Sequence, residues 1–391
     1  MRLAIKLAIR NLIGAGLRTW LNVVVLSFSF VVIIWMKGIM VGWEHQAKTD
    51  MTKWEIGGGQ YWQELYDPFD PFTLSESQSP IPAEFKEEIA QGNMAPVLVV
   101  QGTLYPGGRM QSIAIKGINP NQSIFKLPTQ RLDTNTIGIP AIIGGLMARD
   151  MKLNIGDRVI LRWRDVNGTF DATEIEIVDV FSSNVPSVES SQVYIPLSKL
   201  QEMTLLPNHA TIITFRDSQK PRSAVDGWIL KTKENLTAAV DEMIKTKTVG
   251  QSVFYFILLL LAMLAIFDTQ VLSIFRRQKE IGTYIALGYT RKEVVGLFTV
   301  EGAMHSVLAA LVGAAYGIPF LAWQAKVGWT MPMDVSEFGM AIAQTLYPIY
   351  SVGLVVGTTL IIVLVTTVVS YFPSRKIAKM NPTEALRGKI Q

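Results

Sequence analysis

The side chains able to do chemistry are sparse, and they offer binding rather than bond-making. The densest group runs from Arg276 to Lys292, Arg-Arg-Gln-Lys-Glu-Ile-Gly-Thr-Tyr-Ile-Ala-Leu-Gly-Tyr-Thr-Arg-Lys. Its basic residues could meet phosphates or carboxylates, and Ile281, Ile285 and Leu287 give it one apolar face if it is helical. An ordinary basic loop is the alternative that composition alone leaves open. Two lone acids, Asp268 and Glu301, lie in apolar stretches. A charge is costly there and suggests function, although a neighbour such as Thr269 could satisfy it structurally. His45, His209 and His305 lie far apart, with no second ligand at metal spacing. With no cysteine, disulfide and thiolate chemistry are excluded. There is no phosphate-binding GxxxxGK[ST] loop, no HExxH and no GxSxG. Paired acids such as Glu87-Glu88 read as a solvated helix face. Nothing supports catalysis, so energy for any work must come from a partner.

The elements around these residues are mostly apolar. Hydrophobic residues make up 49% of the 391, and mean hydropathy is +0.29. Segments 21–42, 249–275, 294–323 and 350–372 are each long enough to cross a bilayer. No cleavage-site pattern follows the first, which reads as a span rather than a removed leader. Basic residues crowd 1–20, 276–293 and 373–391, which places these three in the cytoplasm and both termini with them. The large region 43–248 and the short loop 324–349 are then external. Counted from Trp43 to Val249, that region holds 20 basic and 25 acidic residues, so the net +4 belongs to the cytoplasmic edge and not to a nucleic-acid surface. The fold class is an α-helical membrane protein with four transmembrane helices, one plus three, and a large extracytoplasmic α/β domain.

Within the external region the pattern predicts strands over 54–59, 97–100, 112–116, 158–163, 174–180 and 211–215. Asn167-Gly168 marks the clearest hairpin. Short helices are expected over 82–90 and 145–153, and another over 231–245 leading into the second span. Strands flanked by helical pieces suggest one subdomain inserted in another. Residues 61–72, rich in aromatics and prolines, read as a structural loop. Gly313-x-x-x-Gly317 and Gly353-x-x-x-Gly357 each offer a close helix approach and together favour a tight bundle. Residues 1–20 read as an amphipathic surface helix. Pro373 should stop the last span, and Asn381-Pro382-Thr383-Glu384 should cap a short helix in the tail.

Taken together, these motifs resemble the FtsX/MacB/Lol superfamily of ABC-transporter permeases, also called type VII. The resemblance is carried by Glu280-Ile281-Gly282, Ala286-Leu287-Gly288 and Glu301. It is extended by Arg10-Asn11-Leu12, Gly117-Ile118-Asn119-Pro120, Val193-Tyr194-Ile195-Pro196-Leu197 and Asn381 through Arg387. It implies two permease subunits, identical or different, working in the bacterial inner membrane with two copies of a cytoplasmic ABC ATPase. ATP and magnesium would be bound by that ATPase, and no cofactor by this chain. It implies a porter-like external domain with an inserted β-rich Sabre-like subdomain, and mechanotransmission rather than a central channel. By the same likeness, Arg276, Arg277, Lys279, Glu280, Ile281, Gly282, Ala286, Leu287 and Gly288 form the helix that couples to the ATPase. Val24, Phe28, Val31, Val32, Trp35, Phe254, Leu258 and Met263 are candidates for a substrate cavity, or else ordinary packing. The expected task is lipoprotein extraction of the Lol type, since the external domain is large and no ATPase precedes the first span. A MacB-like efflux permease with a periplasmic adaptor, or an FtsX-like regulator, are the alternatives. The short turn at 164–172 lacks the hook that grips a periplasmic carrier in one Lol subunit, which leaves carrier binding open.

Overall fold

Among the described residues four helices are long and apolar enough to cross a membrane, and a mixed sheet is inserted between the first and second in sequence. The computed structural model describes residues 17–219, 221, 225–331 and 345–379. The expected surface helix at 1–20, apart from its last residues, and the capped tail helix lie outside these. The chain divides into two units, one of residues 17–42, 244–329 and 347–379, the other of 43–243 with 330–331 and 345–346.

The helices are α1 Leu17–Met51, α2 Lys233–Arg276, α3 Gln278–Ala286, α4 Arg291–Val327 and α5 Val352–Ser374; the first unit holds α1 up to residue 42, α2 from residue 244, and α3, α4 and α5. The expected helix over 231–245 is the first part of α2 rather than a separate element. Pro373 does not end α5 ahead of itself; it sits in the last turn, and a 3-10 turn Arg375–Lys379 follows. Val23, Leu26, Phe30 and Ile33 of α1 bury against Ala262 and Ile266 of α2, Ala309 of α4 and Ile362 of α5. Gly313 and Gly317 let α4 approach α1: a Cβ on Gly313 would lie 3.3 Å from the Ser27 carbonyl oxygen, and one on Gly317 2.7 Å from Val31 Cγ2. The second glycine pair behaves otherwise, for Gly353 and Gly357 face open space. Only the first pair therefore tightens the bundle within this chain.

The second unit is built on β1 Gly59–Gln63, β2 Ser79–Pro80, β3 Met94–Tyr105, β4 Gln111–Ile118, β5 Ile139–Gly144, β6 Arg158–Arg164, β7 Phe170–Phe181, β8 Gln192–Pro196, β9 His209–Ala210, β10 Ile212–Phe215 and β11 Trp228–Thr232. The sheet order is β11-β1-β10-β3-β4-β8-β5-β7-β6, and β6 pairs back onto β3, so six strands close into a ring. Alternation fills that ring: Val159, Leu161 and Trp163 of β6 point inward with Leu98, Ile115, Ile143, Ile175 and Val193. Closure is tight at Gly102, where a Cβ would sit 2.4 Å from Ile115 Cδ1. β6 and β7 form the predicted hairpin, with Gly168 at φ +85°. The expected strand over 54–59 is instead a helical turn, Thr52–Ile56, held because Glu55 accepts from Lys116 at 3.1 Å and from Gln192 at 3.2 Å. β3 links the ring to the rest of the sheet. β3 belongs to both, its residues 94–97 pairing with β10 and its residues 102–105 with β6.

Candidate functional site

The site is the turn from α2 through α3 to α4. Arg277, at φ −104° and ψ 21°, breaks the helix, and α3 starts directly after it. One face of α3 is anchored by Ile281, fully buried among Ile274, Val294, Val295, Phe298 and Ile377. Burying such a side chain is worth about 1.5–3 kcal/mol. Gly282 is buried on the same face.

Arg277 is the hub. Its guanidinium donates to both oxygens of Glu301, at 2.7 and 2.8 Å, and to both of Glu280, at 2.5 and 2.7 Å. Its Cζ lies 4.8 Å from the centre of the Phe298 ring. The Tyr284 hydroxyl donates to Glu280 at 3.0 Å. Only arginine offers a planar fork that can serve two carboxylates and also stack on a ring. Burial works against the Arg277 charge, but the bonds and fields of Glu280 and Glu301 outweigh it and hold the guanidinium above its usual pKa. Glu280 is held below the usual carboxylate range, first by its hydrogen bond from Arg277.

The other face and the end of α3 are presented to the outside. Gly288 carries φ +96°, its amide donates to the Ile285 carbonyl, and the Tyr289 amide donates to Tyr284, both at 3.1 Å. This is a left-handed helix stop that favours glycine. A Cβ there would touch nothing within 4 Å, so Gly288 serves backbone conformation and not packing. Beyond it Leu287 is 72% exposed, with Arg276, Lys279, Thr283, Ala286, Tyr289, Arg291 and Lys292 also exposed. A Thr290–Glu293 capping box then starts α4, and those bonds lower the Glu293 pKa.

The nine residues expected to meet an ATPase are thus sorted by the fold. Arg276, Lys279, Ala286, Leu287 and Gly288 are presented, whereas Arg277, Glu280, Ile281 and Gly282 hold α3 onto the spans. The pairing of Arg277 with Glu301, 24 residues on, was not read from the sequence. The available signal was two opposite charges at matching ends of adjacent spans. Asp268 stays exposed on α2, while Thr269 donates to the Ala265 carbonyl at 2.9 Å and takes a bond from Asn22 of α1.

The eight cavity candidates do not share one surface. Val24, Phe28 and Phe254 are exposed; Val31 is buried against Gly317. Leu258 borders the bundle core, and Val32 and Met263 are half-buried. Trp35 packs 6.4 Å from Phe320 and 6.2 Å from Trp329, ring centre to ring centre. Val31 and Trp35 are accounted for by packing.

Residues 252–382, which contain the whole turn, match the family model described as FtsX-like permease C-terminal. Residues 252–382 are an FtsX-like permease C-terminal domain. An uncharacterized ABC transporter permease of Methanocaldococcus jannaschii is 30% identical over 162 residues, 40% of this chain and 37% of that protein. The macrolide export ATP-binding/permease protein MacB of Agrobacterium fabrum is 24% identical over 263 residues, 63% of this chain and 38% of its own length. MacB 2 of Aeromonas hydrophila is 22% identical over 234 residues, 56% of this chain and 34% of its length. The chain therefore spans between a third and two fifths of the length of these relatives. Among solved structures, the extracellular domain of the noncanonic ABC-type transporter YknZ from Gram-positive bacteria is 14% identical, covering 41% of this chain and 83% of that one, with a TM-score of 0.25.

Proposed function

We propose that this permease couples ATP hydrolysis by a separate cytoplasmic ABC ATPase to work on an amphiphile at the outer side of a bacterial inner membrane. Two permease subunits and two ATPase copies make the working assembly, with both termini of each permease in the cytoplasm. One observation carries this reading: α3 is bolted inward by Ile281 and the Arg277 clamp while Leu287 stands exposed among basic residues. An apolar knob on a rigid base suits a cleft in a partner. The clamp then transmits a push on α3 into α2 and α4, and so toward the external domain by mechanotransmission.

The substrate class is a lipoprotein or a comparable membrane-embedded amphiphile. A second reading, drug-like efflux through a periplasmic adaptor, is favoured by the names of the MacB relatives. Reconstitution with the partner ATPase tests the coupling. Leu287→Asp should leave the permease folded and reduce stimulated ATP turnover by about tenfold, as loss of a central apolar anchor does. Unchanged turnover removes the coupling assignment. Release of a labelled lipoprotein against export of a macrolide from the same vesicles separates the two substrate readings.

A further inference from the structure

Between β1 and β2 the tripeptide Asp-Pro-Phe occurs twice in succession, at 67–69 and 70–72. Each aspartate closes a turn onto its own phenylalanine. Asp67 Oδ1 accepts from the Phe69 amide at 2.9 Å, and Asp70 Oδ1 from the Phe72 amide at 3.0 Å. The proline inside each turn fixes φ. The two turns are tied together: the Asp70 amide donates to the Asp67 carbonyl at 3.3 Å, and the Thr73 hydroxyl to the Asp70 carbonyl at 2.8 Å. Both flanks fold inward. Tyr66 packs edge-on against Trp62 at 5.0 Å, Leu74 rests on the core beneath the sheet, and Ser77 is fully buried.

The two rings go the other way. Phe69 and Phe72 are each 88% exposed, on a segment held by at least four hydrogen bonds of its own. A floppy loop could fold its aromatics back; this one is built so that they stay out. Along the segment the charges are of one sign, and the cation beside its inner flank is Lys231, 5.4 Å from the centre of the Trp62 ring. Glu64, Asp67, Asp70 and Glu76 are all exposed, and no Lys or Arg occurs between Lys53 and Lys86.

We propose that this loop docks a partner protein whose surface offers an apolar pocket for Phe69 and Phe72, rimmed by lysine and arginine. Aromatic anchors ringed by charge are the usual form of a specific contact, the charge steering encounter and the rings supplying affinity. Charge also decides among occupants. An anionic bilayer would be repelled by the four carboxylates, and a two-fold contact with a second copy would set those carboxylates against themselves. The inference is independent of the coupling role of α3, since neither α3 nor an ATPase enters its test.

The test uses the full chain in the membranes of the cells that make it, with Phe72 replaced by benzoylphenylalanine and irradiated. The expected result is one discrete adduct with a protein other than this chain. Its yield should fall about tenfold with Phe69→Ala, and comparably with Glu64→Lys and Glu76→Lys together, and it should fall as salt rises. All three positions are exposed, so the melting temperature of each variant should match that of the parent. The same probe at Ile137, exposed elsewhere on the unit, should give no charge-dependent adduct. Adducts confined to lipid or to a second copy, a yield indifferent to charge reversal, or no adduct at all would overturn the proposal.

Discussion

The α3 turn and the Asp-Pro-Phe loop solve one problem by different means. Each is a short connection that keeps apolar side chains in the open: Leu287 in one, Phe69 and Phe72 in the other. The loop is held by bonds to its own backbone, within a few residues of sequence. The turn is held by partners from other elements, through Glu301 of α4 and the buried contact of Ile281 with Phe298 and Ile377. A locally held loop can present a surface but passes little force onward. A turn clamped between two spans can do both. That contrast explains why a coupling role suits the turn and a docking role suits the loop.

The comparison can be broken at its strongest point first. Arg277→Ala leaves Glu301 without its guanidinium in a mostly buried place, and should cost about 3 kcal/mol on unfolding of the full chain in detergent. The Arg277→Glu, Glu301→Arg exchange should recover part of that loss, and no recovery would show that the pair is not the source of stability. Next comes the pair of glycine motifs. Gly317→Leu must push into Val31 and should cost about 1–3 kcal/mol, whereas Gly353→Leu meets open space and should cost almost nothing in the same melt. Equal effects would mean that α5 packs more closely than its surface shows. Gly288→Ala should cost about 1 kcal/mol through its positive φ alone, with α3 helicity followed by amide exchange. Asp70→Ala should cost about 0.5–1 kcal/mol, because it removes one turn bond at an exposed site. If it rivals Arg277→Ala, the distinction between a local and a clamped connection fails.

The smallest effect is in pH. Glu280 is depressed in the folded state, so its contribution is present above the unfolded carboxylate pKa and is lost as pH falls through the lower folded value. A melt series taken downward through the acid range should show that slope in the parent and lose it in Glu280→Gln. The Asp70→Ala variant should keep it.

Much of this was legible in the residues. The four apolar helices followed from length and composition, and the hairpin at Asn167-Gly168 from its turn residues. The amphipathic character of α3 followed from the spacing of Ile281 and Ile285, which pack on one face, whereas Leu287, expected on that face, lies just past the end of α3 and is exposed. Residues 54–59 read as a strand because their local pattern does not show Lys116 and Gln192, which hold Glu55 from two distant strands. The nine site residues on the turn came from the family likeness, and a likeness in sequence does not show which way a side chain points.

The sequence by itself therefore determined where helices, strands and turns lie, since hydrophobic period and turn chemistry act over a few residues. Only the tertiary structure decided what they meet. It closed β6 onto β3, and it packed Gly313 and Gly317 against α1 while leaving Gly353 and Gly357 open. It also turned Arg277 inward to Glu301 and Leu287 outward. Each of these depends on surfaces brought together from far apart along the chain, and identical local patterns end differently according to what stands opposite them.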